Sequence, residues 1–180
     1  MITIDKATTY TIAPGQSNFR PLENPMPRCA SGFQLEARFD ESCWWPETPE
    51  NRDDRQDWNK LKGFTHFFGA NNRRSVMIAW RPGKLKNVIE VTAYTNDKRG
   101  GWKVTGNPVE VYAGQVFSAR CDLVGKKAHY VIQSFGLTSA YTHDWDRPSI
   151  LVFREVGTWI GGSGTAPQSM KLEVDFRILK

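Results

Sequence analysis

Glu173-Val174-Asp175 sets two carboxylates on one face of an extended chain. A retaining glycoside hydrolase needs two carboxyl groups about 5–5.5 Å apart, one as nucleophile and one as acid. The next residue on that face is Arg177, or Ile178 if the strand bulges. A guanidinium does not release its proton near neutral pH, so Arg177 cannot be the acid. The histidines are His66, His129 and His143. His66 lies between Phe64 and Phe68 and reads as a hydrogen-bonded core or rim residue. His129 and Tyr130 are adjacent, so a strand points them to opposite faces. His143-Asp144-Trp145-Asp146 offers nitrogen and oxygen ligands, but calcium takes six to eight oxygens. It reads as a polar loop carrying a tryptophan, and Asp53-Asp54 reads the same way. There is no Gly-x-Ser-x-Gly elbow and no phosphate loop. Gly161-Gly162-Ser163-Gly164 follows Trp159-Ile160 and precedes Ala166-Pro167, which reads as a loop crossing between sheets. These residues predict no catalytic centre, no metal site and no cofactor.

The aromatic and basic residues point to binding. The chain of 180 residues holds seven tryptophans. Trp80 alternates with Ile78 and reads as core. Trp44 and Trp45 are adjacent, so an extended chain turns at least one away from the core. Trp102 follows the Gly100-Gly101 turn, and Trp145 sits in the His143–Asp146 stretch. Sugars present apolar C–H faces and many hydroxyls, which aromatic rings with polar neighbours can meet. Exposed aromatics serve protein interfaces equally well. The expected ligand-binding set is Trp44, Trp45, Trp102, Tyr141 and Trp145, with Arg73, Arg74, Lys103 and His143 beside them. The net charge is +5. Basic residues fall at expected turns: Arg73-Arg74, Lys84 and Lys86, Lys98-Arg99, Lys126-Lys127. Clustered at one end they would form an anion-binding rim, favouring anionic glycans. No nucleic-acid motif is present.

Elements of period two must position these groups. Phe33, Leu35, Ala37 and Phe39 alternate with Gln34, Glu36, Arg38 and Asp40, which marks a half-buried strand. Phe64, His66 and Phe68 continue the pattern, as do Val76, Ile78 and Trp80. Residues 87–95 are rich in β-branched types and read as a strand covered on both faces. Further strands are expected over 109–112, 115–121, 127–134 and 149–155. In the last segment Met170, Leu172, Val174, Phe176 and Ile178 face inward, with Lys171, Glu173, Asp175 and Arg177 outward. Only 53–62 hints at a helix, with Trp58 and Leu61 three apart and Gly63 stopping it. Eight to ten short strands predict an all-β fold: a two-sheet antiparallel β-sandwich of jelly-roll type.

Residues 1–32 differ in composition. Thr3, Thr8, Thr9 and Thr11, with Pro14, Pro21, Pro25 and Pro27, exclude a helix and resist central strands. They read as an extended N-terminal arm with one short strand near Thr9–Ala13. The arm either borders the sandwich of residues 33–180 or lies along a neighbouring subunit of a homo-oligomer. Met1–Lys6 lacks a basic n-region and an apolar h-region, so no signal peptide is read and synthesis in the cytoplasm is expected. Cys29, Cys43 and Cys121 are odd in number and lack CxxC spacing, which predicts reduced thiols. No apolar run approaches the roughly 18 residues of a membrane helix.

Several blocks occur in a fixed order: Phe39-Asp40-Glu41-Ser42-Cys43, Asp57-Trp58-Asn59-Lys60-Leu61, Ile78-Ala79-Trp80-Arg81, Ile89–Tyr94, Gly161-Gly162 and Ala166-Pro167. Over residues 33–180 this resembles a group of uncharacterised proteins from phages and marine or gut Bacteroidetes. That group looks like the concanavalin A-like lectin and glucanase jelly roll. Glucanases of this fold place Glu-x-Asp-x-Glu on one strand, and here Arg177 stands in the third place. Alginate lyases of this fold use an Arg-rich strand, a Gln-x-His strand and a tyrosine near the C-terminus. Here Gln133 is followed two residues later by Phe135. The resulting expectation is a non-catalytic component of a phage virion (a decoration, fibre or tail protein) with lectin-like adhesive loops and virion or assembly partners. A free carbohydrate-binding module is its alternative, and a polysaccharide-degrading enzyme the third choice.

Overall fold

The computed structural model describes residues 4, 6–23, 26–70, 73–150, 152–162 and 164–180. Among them the chain forms β1 (Thr8–Ile12), β2 (Arg28–Cys29), β3 (Gly32–Phe39), α1 (Arg52–Gln56), β4 (Asn59–His66), β5 (Ser75–Pro82), β6 (Val88–Asn96), β7 (Trp102–Val104), β8 (Val109–Tyr112), β9 (Val116–Val124), β10 (Lys127–Ser134), β11 (Leu137–Asp144), β12 (Val152–Val156) and β13 (Met170–Leu179). A six-stranded sheet runs β1-β13-β3-β9-β10-β11. The second sheet runs β2-β12-β4-β5-β6-β7, with β8 also paired to β6. The pairs within strands are antiparallel. This is the expected two-sheet jelly-roll sandwich.

Alternation explains how the sheets meet. Phe33, Leu35, Ala37 and Phe39 of β3, Phe117 and Ala119 of β9, and Leu172 and Val174 of β13 all point inward. They pack on Val76, Ile78 and Trp80 of β5 and on Ile89, Val91 and Ala93 of β6. Phe39 touches the Trp80 ring at 5.1 Å and stacks on Phe117 at 5.5 Å. Each such large apolar side chain contributes roughly 1.5–3 kcal/mol by leaving water. The same alternation sends Gln34, Glu36, Arg38, Glu173 and Arg177 to the opposite, outer face of the six-stranded sheet.

Three expectations need correction. The helix expected over 53–62 is confined to Arg52–Gln56, and Asn59–His66 is a strand inside the second sheet with every residue buried. A bulge between Lys60 and Lys62 breaks its register against β5, and its polar residues hide the period of two. The strand through Phe68 ends at His66. His143 and Asp144 belong to β11, not to a loop.

β1 pairs with β13, placing Tyr10 opposite Leu172, and Tyr10, Ile12 and Phe19 are buried. This part of the N-terminal segment is therefore seated on the sandwich. Met1–Thr3, Asp5 and Pro25 of the expected arm, Leu151 of the expected 149–155 strand, and Ser163 lie outside the described residues. The loop through Gly161 rests on the start of β4, where a Cβ would fall 2.4 Å from the Trp58 carbonyl oxygen. Only glycine permits that approach. Cys43 and Cys121 are buried and Cys29 is exposed; all three are free. Burial pushes the Cys43 and Cys121 thiols up. Among the described residues no helix is long and apolar enough to cross a membrane.

Candidate functional site

The outer face of the six-stranded sheet is a grid of polar side chains set by strand register. One row crosses Asp175, Glu36, Ser118 and Gln133, on β13, β3, β9 and β10. The next row crosses Arg177, Gln34, Arg120 and Val131. Residues in one row are direct cross-strand neighbours, with Cβ atoms about 4.5–5.5 Å apart. Together they line an open depression of 390 Å³. A second depression of 470 Å³ shares Glu36, Ser118 and Gln133 with it and extends to the β10–β11 turn.

Ion pairs fix the charges on this face. Arg38 donates to Glu173 from Nη2 at 2.5 Å and from Nε at 3.1 Å. Arg177 donates to Asp175 at 2.5 and 3.1 Å. Arg120 grips Asp122 at 2.7 and 2.8 Å. These bonds push the Arg120 guanidinium further up from its already high pKa. Each guanidinium has five N–H donors, so Arg38 and Arg120 keep donors beyond their carboxylates. Glu36 sits among these pairs, is exposed, and makes no side-chain hydrogen bond or ion pair among the described residues. It is a solvated carboxylate beside a row of amide and guanidinium donors. Ser118 donates to the Gln133 amide oxygen at 3.3 Å, and His129 meets Thr142 at 3.1 Å.

The opposite outer face, on the second sheet, is closed. Trp58, Met77, Tyr94 and Val156 are buried there, with Trp159 packed against them. Lys60 lies beneath, its Nζ donating to the Trp58 carbonyl at 2.5 Å and facing the Tyr94 ring at 4.2 Å. Burial lowers the Lys60 pKa to about 8, with Asp57 opposing the shift. No group of three or more His, Cys, Asp or Glu among the described residues is placed to hold a metal ion.

The nine residues singled out from sequence do not form one site. Trp44 and Trp45 lie by the loop at Gly83, where Trp44 Nε1 donates to the Gly83 carbonyl at 3.0 Å. Arg74 joins the turn at Asp97, at the other end of β6. A strand of nine residues separates those ends by roughly 30 Å. Trp45 is 4% exposed and packs edge-on against Trp80, and Trp145 is 3% exposed against Phe153. Both belong to the core rather than to open loops, because the sandwich ends need large rings to close them. His143 is buried as well. Tyr141 is half-buried and donates to the Asn107 carbonyl at 2.9 Å. Arg73 and Lys103 are exposed.

Trp102 is 62% exposed and stacks on Tyr94 with ring centres 6.2 Å apart. Trp102→Ala is therefore expected to leave folding stability within about 1 kcal/mol of the parent. Urea unfolding checks this, and a loss above about 2 kcal/mol would place the ring in the core.

No protein-family profile matches the chain, and no curated protein matches it. Solved structures do. An alginate lyase from Klebsiella pneumoniae aligns with a TM-score of 0.56 at 13% identity, over 82% of this chain and 59% of that enzyme. A family 7 alginate lyase crystallised with a product aligns at 0.51 and 8% identity, over 98% of this chain and 81% of the other. A functionally unknown protein from Saccharomyces cerevisiae aligns at 0.54 and 7% identity, over 99% and 91%. The likeness is one of fold. This chain thus spans less than two thirds of the Klebsiella enzyme. The comparisons nonetheless correct the expectation of a non-catalytic virion protein and its free-lectin alternative. They bring polysaccharide-degrading enzymes to this fold. The adhesive loops behind that expectation are also split between two ends and partly buried.

The residues of the sheet face, Gln34, Glu36, Arg38, Ser118 and Arg120, were not among the sequence candidates. The alternation of β3 was the available signal. It places Gln34, Glu36 and Arg38 together outside, and only the strand order adds Asp175 and Arg120.

Proposed function

We propose that this protein cleaves a uronic acid-containing polysaccharide by β-elimination on the outer face of the six-stranded sheet. The observation that carries the reading is Glu36, an unengaged carboxylate next to the row Arg177–Gln34–Arg120. In a uronate the proton on C5 lies next to a carboxylate, and removing it builds negative charge on that group. Donors aimed at the carboxylate stabilise this charge. Gln34 and Arg120 supply an amide and a guanidinium group for the purpose. Glu36, one row along, takes the C5 proton. The C4–O4 bond breaks as the C4–C5 double bond forms, and the proton on Glu36 passes to O4 of the departing chain. One carboxylate then serves as base and as acid, and it ends ionised as it began. The ion pairs of Arg38 with Glu173 and Arg177 with Asp175 hold the surrounding side chains in place. The fold that this chain shares with alginate lyases makes alginate the first polymer to try.

The test is incubation with alginate, polygalacturonate, polyglucuronate and hyaluronan, following ultraviolet absorbance of unsaturated ends and, separately, reducing ends. Absorbance growing in step with reducing ends is expected for one of these polymers. Glu36→Gln is expected to slow cleavage at least about 100-fold with an unchanged unfolding midpoint, the scale of a lost general base. Reducing ends without absorbance would mean hydrolysis and overturn the elimination. No product from any polymer would overturn the reading altogether.

A further inference from the structure

The β10–β11 hairpin ends beside Glu36 in an unusual residue. Ser134 pairs with Leu137, leaving a two-residue turn of Phe135 and Gly136. Both have positive φ, +50° and +78°, as a type I′ hairpin turn requires. That turn favours Asn-Gly, because asparagine and glycine enter the left-handed region with least strain. A phenylalanine there works against the local backbone preference. Its ring is 87% exposed, so core packing does not repay the strain. The ring instead lines the 470 Å³ depression together with Leu137, Gln133, Ser118 and Glu36. Gln133 stands two strands from Glu36 in the same row, about 10 Å away.

We infer that Phe135 is an aromatic subsite that stacks on a pyranose ring of the polymer, beyond the bond cut at Glu36. The inference rests on the elimination reading and deepens it. A pyranose presents an apolar C–H face that a flat ring can cover while its hydroxyls stay in reach of Gln133 and Ser118. A residue held against its backbone preference at the end of a groove fits a positioning role. The hairpin places the ring at the edge of the groove rather than over its centre. The subsite therefore favours long chains and leaves the shortest substrates unaffected.

The experiment compares Phe135→Asn and Phe135→Trp, each combined with Glu36→Gln so that bound chains survive. Binding of alginate and polygalacturonate oligosaccharides of increasing length is measured by titration calorimetry, and each variant is melted alongside. Phe135→Asn is expected to melt no lower than its parent, since asparagine suits the turn. It should weaken binding of the longer oligosaccharides about three- to tenfold and leave the shortest unchanged. Phe135→Trp should retain the length dependence. Equal affinity of Phe135→Asn and its parent at every length would overturn the subsite, while cleavage by the wild type would keep the elimination reading intact. A wild type that neither binds nor cleaves alginate, polygalacturonate, polyglucuronate or hyaluronan would overturn both. Loss of length dependence in both variants would also count against stacking, because tryptophan keeps the flat face.

Discussion

Lys62→Ala is expected to remove about 3–5 kcal/mol of folding stability, the range for breaking one side of a buried ion pair. Lys62 lies on β4 and is 1% exposed. Its Nζ contacts Glu155 Oε1 of β12 at 2.6 Å and is also ion-paired with Glu23. The rings of Tyr10 and Phe176, from the other sheet, lie 4.8 and 5.6 Å from the ammonium. One cation therefore joins two carboxylates and both layers of the sandwich. Burial alone would push the Lys62 pKa down. Glu155 and Glu23 overcome that and hold it above the ordinary lysine value. Burial raises Glu155, with Lys62 opposing. Without the ammonium, two carboxylates would face each other in an apolar setting. Urea unfolding near neutral pH measures the loss. The triple variant Lys62→Met, Glu23→Gln, Glu155→Gln is expected to recover most of it, since the charges leave together. A loss below about 1 kcal/mol for Lys62→Ala would show the cluster to be well solvated.

This cluster also shows where sequence reading stops. β13 was legible because Leu172 and Val174 alternate with Lys171 and Glu173, and each strand face meets a uniform environment. β4 was not, because Asn59, Lys60 and Lys62 are buried by partners from other elements. Lys60 is buried by Trp159 and Tyr94, and Lys62 is neutralised by residues 39 and 93 positions away. Polar residues satisfied at such distances look like solvent-facing ones in sequence. The tryptophans failed for the converse reason. Trp45 and Trp145 have polar sequence neighbours but spatial neighbours in Trp80 and Phe153. The candidate site was half visible. Alternation put Gln34, Glu36 and Arg38 on one face, and Glu173, Asp175 and Arg177 on another. That the two faces are one surface follows only from the pairing of β3 with β13. The same pairing sets Glu36 opposite Asp175, one row from Arg177.

Acid is expected to unfold this protein partly through His143. The side chain is 2% exposed on β11. Its Nδ1 lies 2.9 Å from Thr95 Oγ1, which lies 2.8 Å from the Tyr130 hydroxyl. Tyr130 donates to the Tyr94 carbonyl at 3.1 Å. One donor order satisfies this chain: Nδ1–H to Thr95, Thr95 O–H to Tyr130, and Tyr130 O–H to the carbonyl. This order puts a proton on Nδ1 of the imidazole. Burial lowers its pKa to about 4, helped by Lys103 and partly opposed by Asp144. The unfolded histidine titrates near 6.5. Between those values the unfolded chain binds more protons than the folded one, so stability rises with pH across this window. The contribution is complete above about pH 6.5 and is lost as pH falls towards 4. The difference corresponds to about 3 kcal/mol. His143→Asn keeps a donor for Thr95 and removes the titration. Unfolding free energies measured from roughly pH 4 to 7 should fall less steeply for the variant than for the wild type. Asp40, whose carboxyl is held low by Ser42, loses stability in acid equally in both proteins, whereas Asp144, held low chiefly by Lys127, also feels the charge on His143. The difference between the two slopes therefore reports the imidazole together with its coupling to Asp144, and parallel slopes would mean that His143 is not the group that titrates.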